Sequence, residues 1–341
     1  MRAVQLEKPE AFRMIDVPEP ASPGPGEAVV KVFRVGICGT DFSGYLGKMP
    51  FFSYPRIPGH ELGVEVIAVG ENVANVKAGD HCAVEPYINC QKCYSCARGH
   101  TNCCENHQTL GVHCDGGLRP LFTVPARKLH ISTKLSFEQL ALVETLAIGC
   151  HAVNRGNPKS DETILVIGAG PIGLSVIEFA KLSGARTIVV DINERRLAFV
   201  RERMGVAKTI LAKGDGSELK SFTEMTEGRL GNMVIDATGS AASMANSLNY
   251  VGFAGRLVFV GITTQEIKFG HPLMHRREMT LLASRNALSA DFTRIIRLIE
   301  EGKIDTRPWI THHAGLEGMI KEFPTWLKPE TGVVKAIVEV Q

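Results

Sequence analysis

Four cysteines within one short stretch have the spacing of a metal site. The pattern C-x2-C-x2-C-x7-C is formed by Cys90, Cys93, Cys96 and Cys104. Four thiolates this close in sequence can surround one tetrahedral zinc ion, which leaves no open position for a substrate. We therefore predict a structural zinc site in a lobe over residues 86–113. Cys103 competes by adjacency, although the spacing favours Cys104, and four reduced thiols without metal are the alternative.

A glycine-rich turn has the features of a dinucleotide site. The apolar run Ile164–Ile167 suits a parallel strand covered on both faces, and G-x-G-x-x-G follows it at Gly168, Gly170 and Gly173. The first glycine permits the tight turn, the second lets the backbone approach a pyrophosphate, and the third lets helix and strand pack closely. The N–H groups at the start of the next helix then bind the phosphates. The alternative is a glycine-rich turn in another kind of α/β domain.

The residues after this turn favour NAD as the cofactor. Asp191 ends the second apolar run, Thr187–Val190, and lies 18 residues after Gly173. A carboxylate there accepts hydrogen bonds from the ribose diol and repels a 2′-phosphate, although Arg195 and Arg196 lie nearby. The predicted cofactor site further includes Pro171, Ile172, Arg196 and Val260.

Three dispersed residues have side chains that bind metals, but their spacing cannot show that they meet. They are Cys38, His60 and Glu144. Taken alone, a buried cysteine is usually a packing residue. A single histidine is likewise more often structural than a ligand, so the residues themselves leave this constellation open.

Size and composition predict two domains and exclude some classes of partner. A chain of 341 residues exceeds one ordinary core. Its 38 basic and 36 acidic residues are interspersed and give a formal charge of +2, which argues against a nucleic-acid surface. Met1–Met14 lacks the apolar region of a signal peptide, and no run long enough to cross a membrane occurs. Nine cysteines without a secretory signal favour metal over disulfides, so we expect a soluble, cytoplasmic protein.

The predicted secondary structure that positions these residues differs between the two parts of the chain. Residues 1–147 are β-rich, with short β-branched runs at Val29–Val35, Leu62–Val69 and His81–Val84. After Gly149, strands alternate with helices, which predicts a doubly wound parallel sheet and an α/β fold class. Besides the two strands beside the glycine turn, we predict strands at Thr209–Leu211, Met233–Ala237, Arg256–Val260 and Thr280–Ala283.

Helices and the last strand complete this prediction. Helices are expected at about Glu194–Met204 and Ala241–Tyr250. Beyond about Ser284, the sequence indicates one helix, Phe292–Glu301, and a final strand, Val333–Val340. That strand is expected to return to the first domain, which makes this domain discontinuous in sequence.

Four motifs in a fixed order resemble the zinc-dependent medium-chain dehydrogenase/reductase family. They are GICGTD at 36–41, PGHE at 58–61, the four-cysteine lobe, and GAGPIG at 168–173. The resemblance implies a GroES-like β-barrel catalytic domain over 1–147 and 285–341, and a Rossmann domain over 148–284. It also implies an oxidoreductase with zinc and NAD, assembled as a homodimer or homotetramer.

The same resemblance assigns roles to residues of the first domain. Cys38, His60 and Glu144 match the catalytic zinc ligands, and Glu61 matches a neighbouring carboxylate that can exchange at the metal. Zinc held by three side chains keeps a fourth position for water or substrate, so about two zinc ions per chain are expected. Thr40 matches a hydroxyl that relays the proton of the substrate.

The sequence departs from the family pattern at three places. Ser43 stands where many relatives have a histidine at the outer end of the proton relay, and a serine is no base near neutral pH. An exit of the proton through the nicotinamide ribose hydroxyl and water is the alternative. Gly63 comes one residue early, with Val64 in the glycine place, so the local backbone is expected to differ. Pro120 replaces a usual acidic residue. None of these changes removes a zinc ligand.

Other motifs resemble the sugar-acid and polyol branch of the family. They are FFSYPR at 51–56, TNCC at 101–104, GVHCDGG at 111–117 and SRNA at 284–287. The resemblance implies that Arg285 faces the substrate cleft, where a guanidinium is suited to bind a carboxylate. Phe51 is predicted to line the same cleft, because its loop leads into His60. Lys335 matches a cofactor pyrophosphate contact. A domain-hinge ion pair for Arg285, loop packing for Phe51 and a solvated strand end for Lys335 are the alternatives.

Other functions remain open at this point. L-threonine dehydrogenase shares the glutamate-type zinc site and the GTD motif. A non-catalytic NAD-sensing protein is favoured if only one zinc binds per chain. A zinc-free quinone reductase fits less well, since both ligand sets are present, and a nucleic-acid-binding zinc module lacks the required excess of lysine and arginine around the lobe.

Overall fold

The computed structural model describes residues 1–341, and its elements are numbered here in chain order. The strands are β1 (Arg2–Lys8), β2 (Ala11–Asp16), β3 (Glu27–Ile37), β4 (Glu61–Val69), β5 (His81–Val84), β6 (Tyr87–Ile88), β7 (Gln108–Thr109), β8 (Leu121–Pro125), β9 (Leu129–Ile131), β10 (Thr163–Ile167), β11 (Arg186–Asp191), β12 (Thr209–Leu211), β13 (Gly231–Asp236), β14 (Val251–Phe259), β15 (Thr280–Ala283), β16 (Ile310–Gly315) and β17 (Lys335–Glu339). The α-helices are α1 (Gly39–Tyr45), α2 (Tyr94–Ala97), α3 (Phe137–Gly156), α4 (Pro171–Leu182), α5 (Glu194–Met204), α6 (Ser217–Met225), α7 (Ala241–Asn246), α8 (His271–Arg276), α9 (Ser289–Glu300) and α10 (Met319–Trp326). None of these helices combines the length and apolarity needed to cross a membrane.

The chain divides into two units, each with its own sheet. One contains Met1–Thr145 and Leu288–Gln341, and the other contains Leu146–Ala287. These bounds lie two or three residues from the predicted ones. At the first boundary α3 runs through without a break, so the chain has no turn there for a sequence pattern to mark.

The unit Leu146–Ala287 contains a six-stranded sheet in the order β12-β11-β10-β13-β14-β15, and every pairing is parallel. This is the doubly wound order of a Rossmann fold, and the strand order reverses between β10 and β13. The central strands are apolar on both faces, since Ile164, Leu165 and Val166 are fully buried. The predicted α/β class is therefore confirmed.

The other unit is built on a seven-stranded sheet in the order β16-β17-β3-β4-β5-β9, with β8 also paired to β3. The long strand β3 pairs antiparallel with β4, β8 and β17, and so holds most of the sheet together. The last strand, β17, thus returns to the N-terminal part of the chain. Val30, Val32, Val64 and Val66 belong to the apolar core beneath it.

Helix α3 was not predicted, although it carries Glu144. Between Leu140 and Val153 every residue except Ile148 is buried. A helix buried on all sides has no polar stripe, so its sequence lacks the period that marks a surface helix. Strand β16 and helices α6 and α10 were also missed.

Candidate active site

Strand pairing brings together three side chains that can bind a metal. Gly36 of β3 pairs with Glu61 of β4, so the end of one strand lies beside the start of the other. Cys38 follows β3, and His60 immediately precedes β4. The ligand atoms of Cys38, His60 and Glu61 lie within 4.8 Å of one another. We name these three residues the catalytic cluster.

The donors of the catalytic cluster fit a zinc ion. A thiolate, an imidazole and a carboxylate are the three kinds of group that bind zinc in proteins. His60 is 4% exposed and Glu61 is fully buried, so their polar atoms have little access to water. His60 Nδ1 has no hydrogen-bond partner, and Asp41 Oδ1 lies 3.7 Å from it. A carboxylate beside a metal-binding histidine orients the ring and increases its basicity.

Asp41 contacts Cys38 as well as His60. The carboxylate accepts a hydrogen bond of 2.9 Å from the backbone N–H of Cys38 through Oδ2. Asp41 is 2% exposed, and burial raises the pKa of its carboxyl against the lowering effect of His60. One buried aspartate therefore contacts both a cysteine and a histidine of the catalytic cluster.

Glu61 is held by a buried cation. Lys335 Nζ donates to both carboxylate oxygens, at 2.7 and 2.8 Å, and Thr145 Oγ1 donates at 2.7 Å. The glycine at position 36 leaves space for this carboxylate, because a Cβ there would lie 2.1 Å from Glu61 Oε2. Lys335 is 1% exposed, so the alternative of a solvated strand end is wrong. Its ammonium lies at Glu61, and a pyrophosphate contact stays a prediction.

Glu144 lies close by but outside the group of three. It is 4% exposed, and the hydroxyl of Tyr87 donates a hydrogen bond to its Oε1. Burial raises the pKa of Glu144 to about 7, whereas His60 acts to lower it. Two carboxylates, Glu61 and Glu144, are thus available as the third metal ligand.

The predicted structural site has its four sulfur atoms together. The Sγ atoms of the four cysteines lie within 4.8 Å of one another, and the residues are Cys90, Cys93, Cys96 and Cys104. Backbone N–H groups point at the sulfurs: Cys90 N lies 3.2 Å from Cys104 Sγ, and Cys93 N lies 3.3 Å from Cys90 Sγ. Hydrogen bonds from Lys92 and Cys93 lower the pKa of Cys90 to about 6. Burial instead raises the pKa of Cys104 to about 11, so the fit to a closed zinc site rests on the convergence of the four sulfur atoms.

Asn89 and Arg127 support the lobe from outside. The amide of Asn89 donates to Cys96 Sγ at 3.5 Å. Arg127 in turn donates to the side-chain oxygen of Asn89 at 2.6 Å and to its backbone oxygen at 2.8 Å. Cys103 is exposed and is not part of the sulfur group, which contains Cys104.

The glycine turn of the Rossmann unit has the geometry that a dinucleotide needs. Gly168 has φ of +97°, and a Cβ on Gly173 would lie 1.8 Å from the oxygen of Gly168. A Cβ on Gly170 would have only the Arg196 side chain within 4 Å, so the backbone at this point faces open space. Pro171 begins α4 directly after Gly170. The N–H groups at the start of α4 are therefore accessible to a phosphate.

Asp191 is the last residue of β11, and its carboxylate also stabilises the glycine turn. Its Oδ2 accepts a hydrogen bond of 2.6 Å from Ala169 N, and its Oδ1 accepts one of 2.7 Å from Asn193 N. Arg196 Nη1 lies 4.0 Å from Oδ2. The carboxylate expected at the ribose thus also fixes the backbone that approaches the pyrophosphate.

Comparisons with known proteins identify the family of this chain. Residues 24–134 match the model of the alcohol dehydrogenase GroES-like domain, and residues 171–301 match that of the zinc-binding dehydrogenase domain. The L-galactonate-5-dehydrogenase of Escherichia coli K12 is 40% identical over 291 residues, which are 85% of each chain. The chain belongs to the zinc-type medium-chain alcohol dehydrogenase family. The predicted family is therefore confirmed.

Two further relatives extend this comparison. An L-arabinitol 4-dehydrogenase of Aureobasidium melanogenum is 33% identical to this dehydrogenase over 326 residues, covering 92% of this chain and 88% of the relative. A structure from E. coli CFT073, described as a short chain alcohol dehydrogenase (rspB) in complex with NADH, is 28% identical. It has a TM-score of 0.92 and covers 100% of this chain and 99% of its own.

The remaining predicted site residues of the dehydrogenase lie on helices α1 and α4 or in loops. Thr40 and Ser43 are half-buried on α1, the helix that follows Cys38. Arg285 is exposed two residues after β15, and Phe51 is 59% exposed in the loop after α1. Val260 is buried directly after β14, and Ile172 is half-buried in the first turn of α4. Their roles stay predictions.

Gly63, predicted to alter the local backbone, lies in β4 and permits a close contact. A Cβ there would lie 2.0 Å from the backbone oxygen of Phe137, the first residue of α3. Glu144 lies two helical turns further along α3. The absence of a side chain at position 63 thus lets α3 begin directly against β4, the strand that starts with Glu61.

Sequence reasoning missed Asp41 and Tyr87 as residues of this site. Asp41 lies within the quoted motif GICGTD, and its position three residues after Cys38 at a helix start is a capping signal that could have identified it. Tyr87 gave no such signal, because it contacts Glu144 across 57 residues of sequence.

Proposed function

We propose that this dehydrogenase oxidises a secondary hydroxyl group of a sugar acid or polyol and passes the hydride to NAD. The observation that carries the proposal is the catalytic cluster, in which Cys38, His60 and Glu61 have their ligand atoms within 4.8 Å of one another. The Rossmann glycine turn supplies the cofactor site. The relatives named for L-galactonate and L-arabinitol support the substrate class.

The metal of the catalytic cluster would be held by Cys38, His60 and one of the carboxylates Glu61 and Glu144. Zinc bound there supplies Lewis-acid polarisation of the substrate oxygen. The residues of the chain do the remaining work of positioning and proton transfer. Thr40 accepts the proton of the substrate hydroxyl and passes it outward. Ser43 is half-buried on the same helix and is no base near neutral pH, so the proton leaves through the nicotinamide ribose hydroxyl and water.

NAD is the preferred cofactor, because Asp191 would face a 2′-phosphate with a negative charge. The preference is limited, since Arg196 Nη1 lies only 4.0 Å from that carboxylate and offers a positive charge beside it. Comparing kcat/KM for NAD and NADP tests this assignment. An equal or higher value for NADP would contradict the role of Asp191.

The substrate class is tested by activity on a panel. Sugar acids including L-galactonate, polyols including L-arabinitol, and L-threonine are offered with NAD, and NADH absorbance is recorded. Activity on sugar acids or polyols supports the proposal, and activity on threonine alone favours L-threonine dehydrogenase. No activity on any compound, with one zinc per chain, favours an NAD-sensing protein.

Two variants test the assigned roles within this function. Glu144→Ala should abolish turnover and leave NAD binding largely intact, since the cofactor glycines are unchanged. Arg285→Ala should raise KM for sugar acids much more than for neutral polyols, because its guanidinium is proposed to bind the carboxylate. Equal losses on both substrate types would remove that role, and the same comparison with Phe51→Ala tests a general lining role.

The proposal includes the oligomeric state and the subcellular compartment of the enzyme. We expect a homodimer or homotetramer, which light scattering of the purified protein measures. We expect the cytoplasm as its compartment, because nine cysteines, four of them gathered for zinc, require reducing conditions. Cell fractionation tests this expectation.

A further inference from the structure

A tyrosine at the base of the zinc lobe contacts the catalytic carboxylate. Tyr87 is 2% exposed and Glu144 is 4% exposed. The Tyr87 hydroxyl donates to Glu144 Oε1, and no other group of the protein donates to that carboxylate. Glu61, by contrast, accepts hydrogen bonds from both Lys335 and Thr145. The position of Glu144 therefore depends on a single donor.

The backbone around Tyr87 is fixed on both sides. Tyr87 pairs with Thr109 in the small β6–β7 sheet, and the oxygen of Pro86 accepts a hydrogen bond of 3.1 Å from Leu110 N. Just before it, Glu85 N donates to the Lys128 oxygen at 2.8 Å. The tyrosine has little freedom to follow a carboxylate that moves.

The ring of Tyr87 is also enclosed. Its centroid lies 6.1 Å from that of His107 and 6.3 Å from that of Phe292, the latter in an edge-on arrangement. A phenylalanine at this position would keep these ring contacts. It would remove only the hydroxyl that reaches Glu144.

The metal-binding part of the four-cysteine lobe begins shortly after Tyr87 and forms the connection between β6 and β7. All four cysteines lie between β6 and β7, so metal binding in the lobe joins the two strands that hold Tyr87. Asn89, two residues after Tyr87, donates to Cys96 Sγ and is itself held by Arg127. A continuous set of contacts thus runs from the lobe to Glu144.

We propose that Tyr87 is a positioning residue of this dehydrogenase, which holds Glu144 at the catalytic metal, and that the folded four-cysteine lobe holds Tyr87 in place. The inference rests on the proposed function for the role of Glu144. It adds a connection by which a structural metal site determines the geometry of a catalytic one.

The first experiment compares the wild-type enzyme with Tyr87→Phe after Co²⁺ replaces zinc in the catalytic cluster. Loss of a group that orients a metal ligand weakens metal binding by about tenfold or more. We expect a weaker Co²⁺ dissociation constant by that factor, a shifted visible absorption band, and a lower kcat with unchanged KM for NAD. Tyr94→Phe is the control, because Tyr94 belongs to the lobe but is 71% exposed.

A double-mutant comparison separates positioning from a general structural role. Glu144→Gln and the double variant Tyr87→Phe/Glu144→Gln are titrated with Co²⁺ beside the single Tyr87 variant. If Tyr87 acts through Glu144, the double variant binds Co²⁺ no more weakly than Glu144→Gln alone. Additive losses, or an unchanged affinity and spectrum in Tyr87→Phe, overturn the proposal.

A third variant tests the lobe without touching Tyr87. Arg127→Gln removes the support of Asn89 and should weaken Co²⁺ binding at the catalytic cluster by about threefold. If Tyr87→Phe does not fold, the Arg127→Gln variant decides the proposal. An unchanged Co²⁺ affinity of Arg127→Gln would then overturn it. Inactivity of the wild-type enzyme on all sugar acids and polyols would refute the proposed function but leave these titrations decisive for Tyr87.

Discussion

The two metal clusters of this dehydrogenase are assembled in opposite ways. The four cysteines of the lobe come from one short segment, and their own backbone N–H groups point at the sulfurs. The catalytic cluster combines residues from the end of β3 and the start of β4, and Glu144 lies on α3 outside it. The lobe therefore depends on its metal for order, whereas the catalytic cluster depends on the fold for its geometry.

The largest expected effect is a loss of activity when a ligand of the catalytic cluster is replaced, without a loss of stability. Cys38→Ser replaces a metal ligand at nearly constant volume and should lower kcat/KM by about a thousandfold or more, because several kcal/mol of polarisation are lost. Metal analysis should show a fall from about two zinc ions per chain to about one. The melting temperature should stay nearly unchanged.

The control for this variant is Cys114→Ser, since Cys114 is half-buried but outside both sulfur sites. It should keep both metals and full activity. A Cys38→Ser enzyme that remains active with two zinc ions would show that the catalytic cluster is misassigned.

The second effect is on stability and concerns the lobe. Cys104→Ser should release the lobe zinc and lower the free energy of unfolding by about 4 kcal/mol, because metal binding orders this segment. Denaturant unfolding and limited proteolysis between residues 86 and 113 measure the loss. The neighbouring Cys103→Ser is the matched control and should behave as the wild type, because Cys103 is exposed.

This contrast also explains how much of the molecule the sequence revealed. The lobe and the glycine turn were predicted from spacing alone, because each is complete within a short segment and its chemistry requires that spacing. Cys38 and His60 were joined only through a family resemblance. Their meeting depends on the β3–β4 register, which no local pattern encodes.

The parts that were missed involve partners far apart in sequence. Tyr87 reaches Glu144 across 57 residues, and Lys335 reaches Glu61 across 274. The sequence placed Lys335 at a basic position of the family, but not beside a buried glutamate. Helix α3 was missed because burial on all sides removes the polar stripe by which helices are found.

The third prediction tests whether the fold sets the catalytic geometry. Gly63→Ala places a Cβ 2.0 Å from the Phe137 oxygen, so α3 must shift away from β4. Such overpacking should destabilise the protein by about 1–3 kcal/mol, and kcat should fall as Glu144 moves. Gly315→Ala is the control, since nothing lies within 4 Å of a Cβ there. Equal stability and kcat in both variants would refute the close contact.

The smallest effect concerns a buried ion cluster beneath the lobe, formed by Glu85, Lys128 and His130. All three are less than 10% exposed, and the Lys128 ammonium and the His130 ring both contact the Glu85 carboxylate. Burial alone would raise the pKa of Glu85, but hydrogen bonds from His130 and Lys128 outweigh it and hold this pKa below its ordinary value. Deprotonated Glu85 therefore stabilises the fold at neutral pH.

The sign of the pH dependence follows from this lowered pKa. The stabilisation is fully present above the unfolded-state pKa of about 4.3, and it is lost as the pH falls through the lower folded-state value. Between about pH 5 and pH 3, the free energy of unfolding should decline more steeply in the wild type than in Glu85→Gln, which cannot titrate. Denaturant unfolding across this range measures both slopes. Equal slopes would mean that Glu85 keeps an ordinary pKa in the folded protein, so that the ion cluster adds no acid-sensitive support to the lobe.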